Sequence, residues 1–270
     1  MSGIILSANN LTKTYRQRSG RFGFGHKLVK ALDDVSINIK TGSTLAIVGE
    51  SGSGKSTLAR CLLQLLPLDA GTVQFQGLDL ATLSGDALRA VRRDLQMVFQ
   101  DPFASLNPRM KVGEIVGEGL LIHNIGSAQE RAHAVLRMLE RVGLSAADIN
   151  KYPHEFSGGQ RQRVGIARAL VLQPKLVICD EPVSALDVSI QAQILLLLKE
   201  LQQEMGLSYL FISHDLRIVR HVADEIAVMH DGKIVEQGEV EAIYSAPQQL
   251  YTQNLLNSIP GRQHRTASII

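Results

Sequence analysis

Apolar positions recur along this chain with two different periods, and the two are segregated. In the first forty residues the period is two. Residues 35–39 read V-S-I-N-I, residues 11–15 alternate in part and residues 4–8 are mostly apolar, which predicts three short strands. Residues 16–30 lie between them, rich in Arg, Lys and Gly and without an acidic residue. They read as a solvated, mobile hairpin loop, with an anion-binding loop as the alternative. Residues 44–48 (T-L-A-I-V) form a continuous run of buried-strand type, followed by a Gly-rich turn and a helical pattern over 58–66. Residues 71–75 predict a further strand. From about residue 101 to 170 the period becomes helical, at 112–123 and 128–142, with almost no strand signal. Beyond Pro174 strands (176–179, 209–213, 225–230) alternate with helices (190–205, 215–222). Such alternation predicts an α/β core whose parallel sheet is covered on both faces, with an antiparallel flap in front and a helical insertion in the middle.

Composition narrows the class but does not choose a function. The 270 residues are 45% hydrophobic and 20% charged, which excludes disordered, collagen-like and disulfide-scaffold chains. Twenty-eight basic against 26 acidic residues leave a net charge of +2, too balanced for a general nucleic-acid or membrane-surface binder. Cys61 and Cys179 stand far apart in apolar stretches, so a reduced, cytosolic setting is expected. No run approaches the roughly 20 apolar residues of a membrane span, and the first residues lack the basic and apolar regions of a secretory leader.

Chemistry concentrates in three places. The segment Gly49, Glu50, Ser51, Gly52, Ser53, Gly54, Lys55, Ser56, Thr57 fits G-x-x-x-x-G-K-[ST], with an apolar strand before it and an apolar helix after it. Glycines let backbone N–H groups wrap a phosphate, and the helix N-terminus adds partial positive charge. Lys55 suits the β- and γ-phosphates, and the Ser56 hydroxyl suits Mg²⁺. In L-V-I-C-D-E-P, four apolar residues deliver Asp180 and Glu181 to the C-terminal end of a strand, where open α/β sheets bind ligands. Asp180 suits the metal, and Glu181 suits a general base for attack on a γ-phosphate. Finally, Phe156 and Ser157-Gly158-Gly159-Gln160 lead into a helical pattern at 164–171, giving a second anion cradle or a plain loop-to-helix junction.

The ordered set of residues 49–57, Gln100, Ser157–Gln160, Asp180-Glu181, Asp187 and His214 resembles the ATP-binding-cassette (ABC) ATPases over nearly the whole chain. Phe156 stands where that family more often has Leu. The resemblance implies a P-loop NTPase (RecA-like) core with an antiparallel β subdomain and an inserted α-helical subdomain. Residues 4–254 would form the ATPase domain, with the helical insertion at about 101–170 and a tail at 255–270. It further implies ATP and Mg²⁺ as ligands, with Lys55, Gln100, Glu181 and His214 catalytic. Ser56, Gln100 and Asp180 would hold the metal. Ser157, Gly158, Gly159, Gln160 and Asp187 would act across a head-to-tail dimer on the partner's nucleotide. Tyr15 sits where the family has an aromatic that stacks on adenine, although it equally suits a strand residue packing the flap.

A finer resemblance follows Gln100. Residues 101–109, D-P-F-A-S-L-N-P-R, and the stretch 246–260 look like ATPases of oligopeptide, dipeptide and nickel importers; Leu250 replaces the usual Pro before Tyr251-Thr252. This implies a peripheral subunit on the cytoplasmic face of the inner membrane. Its partners would be two integral-membrane permeases, a second ATPase (a paralogue or itself) and, indirectly, an extracytoplasmic solute-binding protein. Peptides are the expected cargo, with nickel or another small solute as the alternative. Longer relatives carry a cysteine cluster in their tail, and none is present here, so no iron–sulfur centre is expected. A soluble ABC ATPase acting on DNA or ribosomes is the rival from another class. The 102-residue spacing from Lys55 to Ser157 leaves no room for a long coiled coil, and no nucleic-acid partner is expected.

Overall fold

A computed structural model describes residues 3–19 and 25–259. Two long strands, β1 (Ile4–Ser19) and β2 (Gly25–Lys40), pair antiparallel and open the chain. The separate strands expected at 4–8 and 11–15 are one strand, broken in register near Asn9 and Asn10 rather than interrupted. Asn10 has a left-handed φ of 54°, and its side chain donates to Asp34. Such a bulge hides a continuous strand from a strict two-residue period. The expected loop at 16–30 is therefore mostly strand, and only its tip, residues 20–24, lies outside the described residues.

The chain then enters β3 (Thr44–Val48), α1 (Lys55–Leu62), β4 (Ala70–Phe75) and the two-residue β5 (Leu78–Asp79). Next come α2 (Gly85–Asp94), β6 (Leu95–Val98), α3 (Pro102–Ser105), α4 (Val112–Ile122), α5 (Ala128–Arg141) and α6 (Gly158–Leu170). The last third adds β7 (Leu176–Asp180), α7 (Val188–Met205), β8 (Ser208–Ser213), α8 (Leu216–Val222), β9 (Glu225–His230), β10 (Lys233–Glu239), α9 (Val240–Ser245) and α10 (Leu250–Asn257). The sequence pattern did not announce α2, β6, β10, α9 or α10. These elements are short or exposed, so little apolar patterning is required of them.

Two sheets result. The first, ordered β2-β1-β4-β5, is antiparallel; the second, ordered β10-β9-β3-β8-β7-β6, is parallel except for its β10 edge. Side-chain alternation in the central strands feeds two cores at once. Leu45 and Ile47, Ile178, Leu210 and Ile212 face the antiparallel sheet and α1. Ala46 and Val48, Val177 and Cys179, Tyr209 and Phe211 face the helices of the other side. A strand buried on both faces favours apolar residues at successive positions, which is why 45–48 and 209–212 read as unbroken runs.

The helical stretch is built on strong local signals. At the start of α5 the Ser127 hydroxyl accepts from Glu130 N and the Glu130 carboxylate accepts from Ser127 N, a capping box. In α4, Val112, Ile115, Val116 and Leu120 recur at helical spacing and are all buried.

Two outcomes test this account. Ile178→Ala removes a fully buried side chain between the two sheets and is expected to lower unfolding stability by about 2–5 kcal/mol, measured by urea denaturation. Burial pushes the Cys61 thiol up to about 11 and raises Cys179 as well. A thiol reagent at pH 8 is therefore expected to leave both cysteines unmodified in the folded protein and to titrate both once guanidinium unfolds it.

Candidate functional site

The segment from Gly49 to Gly54 links β3 to α1, so the end of a buried strand aims the chain directly into a helix N-terminus. At Gly54 the φ is 112°, and a Cβ there would lie 2.2 Å from the Ala31 carbonyl oxygen, so no larger residue fits without moving backbone. The turn joining β9 to β10 supports the segment from below, where Gly232 N donates to the Ser53 carbonyl at 3.0 Å. Ser53 itself is buried.

Lys55, the first residue of α1, is almost fully buried. Its ammonium donates to the carbonyls of Gly49 (2.8 Å) and Glu50 (2.7 Å). Those contacts use two of its three N–H bonds. Burial lowers the Lys55 pKa, and the nearby carboxylates of Glu181, Asp180 and Glu50 oppose that shift. Next to it, the Ser56 hydroxyl donates to Asp180 Oδ1 at 3.1 Å. Burial raises the Asp180 carboxyl, while the Ser56 hydrogen bond and the charges of Arg60 and Lys55 pull it back. A hydroxyl and a buried carboxylate oxygen side by side make a hard-oxygen pair that fits Mg²⁺.

Two further residues converge on one oxygen of Glu181. Gln100, just beyond β6, donates Nε2–H to Glu181 Oε2 at 3.0 Å, and His214 Nδ1, just beyond β8, lies 3.2 Å from the same oxygen. Glu181 has a left-handed φ of 48°, an uncommon conformation for a residue with a side chain. Its neighbours hold it there: its N–H donates to the Ile212 carbonyl (3.0 Å), and its own carbonyl accepts from Ser184 Oγ (3.1 Å). Because β6, β7 and β8 are adjacent and parallel, their C-terminal ends deliver these three side chains to one place.

A cavity of about 650 Å³ joins these parts. Lys55, Ser56, Gln100, Glu181 and His214 line it, with Ser51, Gly52, Gly54 and Thr57 around the loop and Tyr15 at its far wall. Gly49, Glu50 and Asp180 lie behind this lining and hold Lys55 and Ser56 in place. Ser157, Gly158, Gly159, Gln160 and Asp187 do not line it. They cluster elsewhere, where α6 begins beside the start of α7. Ser157 caps α6, accepting from Gln160 N, and a Cβ on Gly159 would meet the Ile190 side chain at 2.6 Å. Ser157, Gln160, Asp187 and Val188 are exposed.

The family model described as "ABC transporter" matches residues 32–184. Oligopeptide transport ATP-binding protein AppF of Bacillus subtilis (strain 168) is 51% identical over 262 residues, spanning 97% of this chain and 80% of that protein. The chain belongs to the ABC transporter family. Dipeptide transport ATP-binding protein DppF of Escherichia coli (strain K12) is also 51% identical, over 95% of this chain and 76% of its own length. Among solved structures, the ABC cassette MJ0796, in a dimeric post-hydrolysis state bound to ADP and Pi, superposes with a TM-score of 0.77 at 33% identity. That match covers 87% of this chain and 98% of the other. CbiO1 from Clostridium perfringens, part of the ABC transporter complex cbiONQ, gives 0.76 at 30% identity over 90% and 91% of the two chains. The chain is thus an ABC ATPase, and ATP is its nucleotide.

Some participants in this ABC cassette carry no sequence signal of their own. Val29 and Ala31 line the cavity from β2, opposite the loop. They are ordinary strand residues, and only the pairing of β2 with β1 brings them beside Tyr15. Tyr251 in α10 does belong to the 246–260 stretch noted above, but nothing in that stretch signals its contact: 201 residues beyond Glu50, it accepts a hydrogen bond from the Glu50 N–H at 3.2 Å.

The crowding at Gly54 gives a direct test. Gly54→Ala adds backbone strain of about 1–3 kcal/mol and a clash with a main-chain oxygen. It is expected to lower the melting temperature by several degrees and to weaken ATP binding, both measurable on the purified chain.

Proposed function

We propose that this chain is the ATP-hydrolysing subunit of a membrane importer for di- or oligopeptides, working in a dimer of cassettes. The observation that carries the catalytic part is the shared oxygen of Glu181, contacted by Gln100 and His214 at the mouth of the phosphate loop. The 51% identity to peptide-transport ATP-binding proteins across nearly the whole chain supports the cargo class.

The chemistry follows from the side chains. Loop N–H groups and the third N–H of Lys55 bind the β- and γ-phosphates of ATP, with Tyr15 against the adenine. Ser56 Oγ, Asp180 and the Gln100 side-chain oxygen would hold Mg²⁺, which when bound neutralises phosphate charge. Gln100 and His214 fix the Glu181 carboxylate through one oxygen. Its remaining lone pairs take a proton from a water molecule as that water's oxygen bonds the γ-phosphorus. The bond from the γ-phosphorus to the bridging oxygen breaks, leaving ADP and phosphate.

Two observations support a dimer. Ser157, Gln160 and Asp187 are exposed and, with the half-buried Gly158 and Gly159, stand apart from this chain's own cavity, which supports a role in completing a site on a facing subunit. The MJ0796 cassette is itself a dimer, which supports the same reading. Among the described residues no helix is long and apolar enough to cross a membrane, so permeation would belong to separate permease subunits. An apolar groove of about 550 Å³ on α4 and α5, walled by Met110, Gly117, Leu121, Val135 and Ile149, suits an intracellular permease helix. ATP-driven closure of the dimer would then move that helix and switch the permease, the chain remaining a peripheral subunit on the cytoplasmic face of the membrane.

Glu181→Gln is expected to keep ATP binding and dimerise on ATP while turnover falls at least about 100-fold, since it removes a general base. Lys55→Ala should lose nucleotide affinity. Wild-type turnover in Glu181→Gln would refute the assignment of the base. Affinity capture from detergent-solubilised native membranes is expected to recover two polytopic permeases and a second ATPase, with peptide uptake lost when this chain carries Glu181→Gln. Recovery only with soluble DNA- or ribosome-associated partners would overturn the transport reading.

A further inference from the structure

We propose that Tyr251, in the first turn of α10, is a positioning residue for the phosphate loop. In this role its hydroxyl sets the Gly49–Glu50 peptide group and, through it, the Lys55 ammonium. The inference rests on the assignment of residues 49–56 as the ATP-binding loop but adds a residue from the opposite end of the chain.

The argument is a chain of contacts. The peptide unit between Gly49 and Glu50 presents a carbonyl on one side and an N–H on the other. Its carbonyl accepts from Lys55 Nζ at 2.8 Å, and its N–H donates to Tyr251 Oη at 3.2 Å. A peptide group bonded at both ends cannot rotate, and each bond polarises the group in favour of the other. Without the phenol the peptide is held by Lys55 alone, and that ammonium must reorganise towards phosphate when ATP enters. With the phenol in place, the carbonyl stays where Lys55 needs it while the third N–H is free to engage the nucleotide.

Tyr251 is in turn held from two directions. Its ring stacks on His230 at the end of β9, with centroids 3.9 Å apart and planes 27° from parallel. The start of α10 is pinned to β10, because the Glu236 carboxylate accepts from Gln248 N at 2.7 Å and from Gln249 N at 3.1 Å. Burial pushes the Glu236 carboxyl up, but the neighbouring Thr252 side chain together with these two bonds outweighs it and holds the group below its usual range. The same β9–β10 unit also supports the loop through Gly232 N and the Ser53 carbonyl. A hydroxyl presented on a stacked ring, from a helix anchored by a carboxylate, is far more restrained than a surface tyrosine needs to be. A packing role would require only the ring.

That distinction gives the experiment. Tyr251→Phe keeps the stack on His230 and deletes only the oxygen; Tyr251→Ala deletes both. ATP affinity of the full chain is measured by calorimetry. Hydrolysis is followed as kcat and KM in the reconstituted transporter, and folding as the melting temperature, with wild type and Lys55→Ala as references. The expected result for Tyr251→Phe is a roughly three- to tenfold weaker ATP affinity and a matching rise in KM, the size of one net hydrogen bond. Its kcat and melting temperature should stay close to wild type. Wild-type affinity in Tyr251→Phe, with a loss only in Tyr251→Ala, would assign Tyr251 to packing and overturn the proposal. A loss of affinity accompanied by a marked fall in melting temperature would overturn it in the same way. If Lys55→Ala binds ATP as wild type does, the loop assignment itself fails, an outcome separate from any result at Tyr251.

Discussion

One oxygen atom ties together the strand ends that border the cavity of this protein. Glu181 Oε2 meets Gln100 Nε2 and His214 Nδ1, so the ends of three adjacent parallel strands are tied together through a single carboxylate. The arrangement requires Glu181 to take a left-handed backbone conformation, and the Ile212 carbonyl and Ser184 hydroxyl hold it there. Strain of this kind persists only where surrounding structure over-determines it. Here that structure is the doubly buried sheet, whose central strands carry apolar side chains into both cores.

The phosphate loop is held by a similar division of labour. Lys55 is buried at a cost that lowers its pKa, and two loop carbonyls together with nearby carboxylates offset that cost. Its ammonium ties two loop carbonyls together, so any group that fixes those carbonyls also fixes the cation. The β9–β10 turn and Tyr251 act on the loop from sequence-distant elements. The C-terminal helix is thereby part of the same mechanical unit as the nucleotide site.

Separation of the Ser157–Gln160 turn from the cavity is the feature on which the proposed dependence on a partner rests. Within one chain, Ser157–Gln160 and Asp187 sit outside the cavity, packed closely enough that Gly159 admits no side chain against Ile190. Ser157, Gln160, Asp187 and the apolar Val188 are exposed on this face. Under the proposed dimer, a site divided between two such surfaces would be complete only when two cassettes meet, which would link nucleotide occupancy to association.

How much of this was legible in the sequence depends on whether the relevant signal is local. The G-x-x-x-x-G-K-[ST] segment, the paired carboxylates after an apolar strand and the S-G-G-Q turn are contiguous. Their chemistry follows from neighbouring residues, and so do the α/β alternation and the helical stretch, since periodicity is a local property. Continuity of β1 across the Asn10 bulge was not legible, because a bulge breaks the alternation by which a strand is recognised. Nor were α9 and α10, whose partly exposed faces carry little pattern. The cavity contributions of Val29 and Ala31, the convergence of Gln100 and His214 on one oxygen, and the contact of Tyr251 with a peptide 201 residues away were decided only by strand order and packing. Sequence by itself determined which chemical groups the protein would use. Tertiary structure alone decided which of them share an atom, because hydrogen bonds act over about 3 Å and only folding brings distant segments that close.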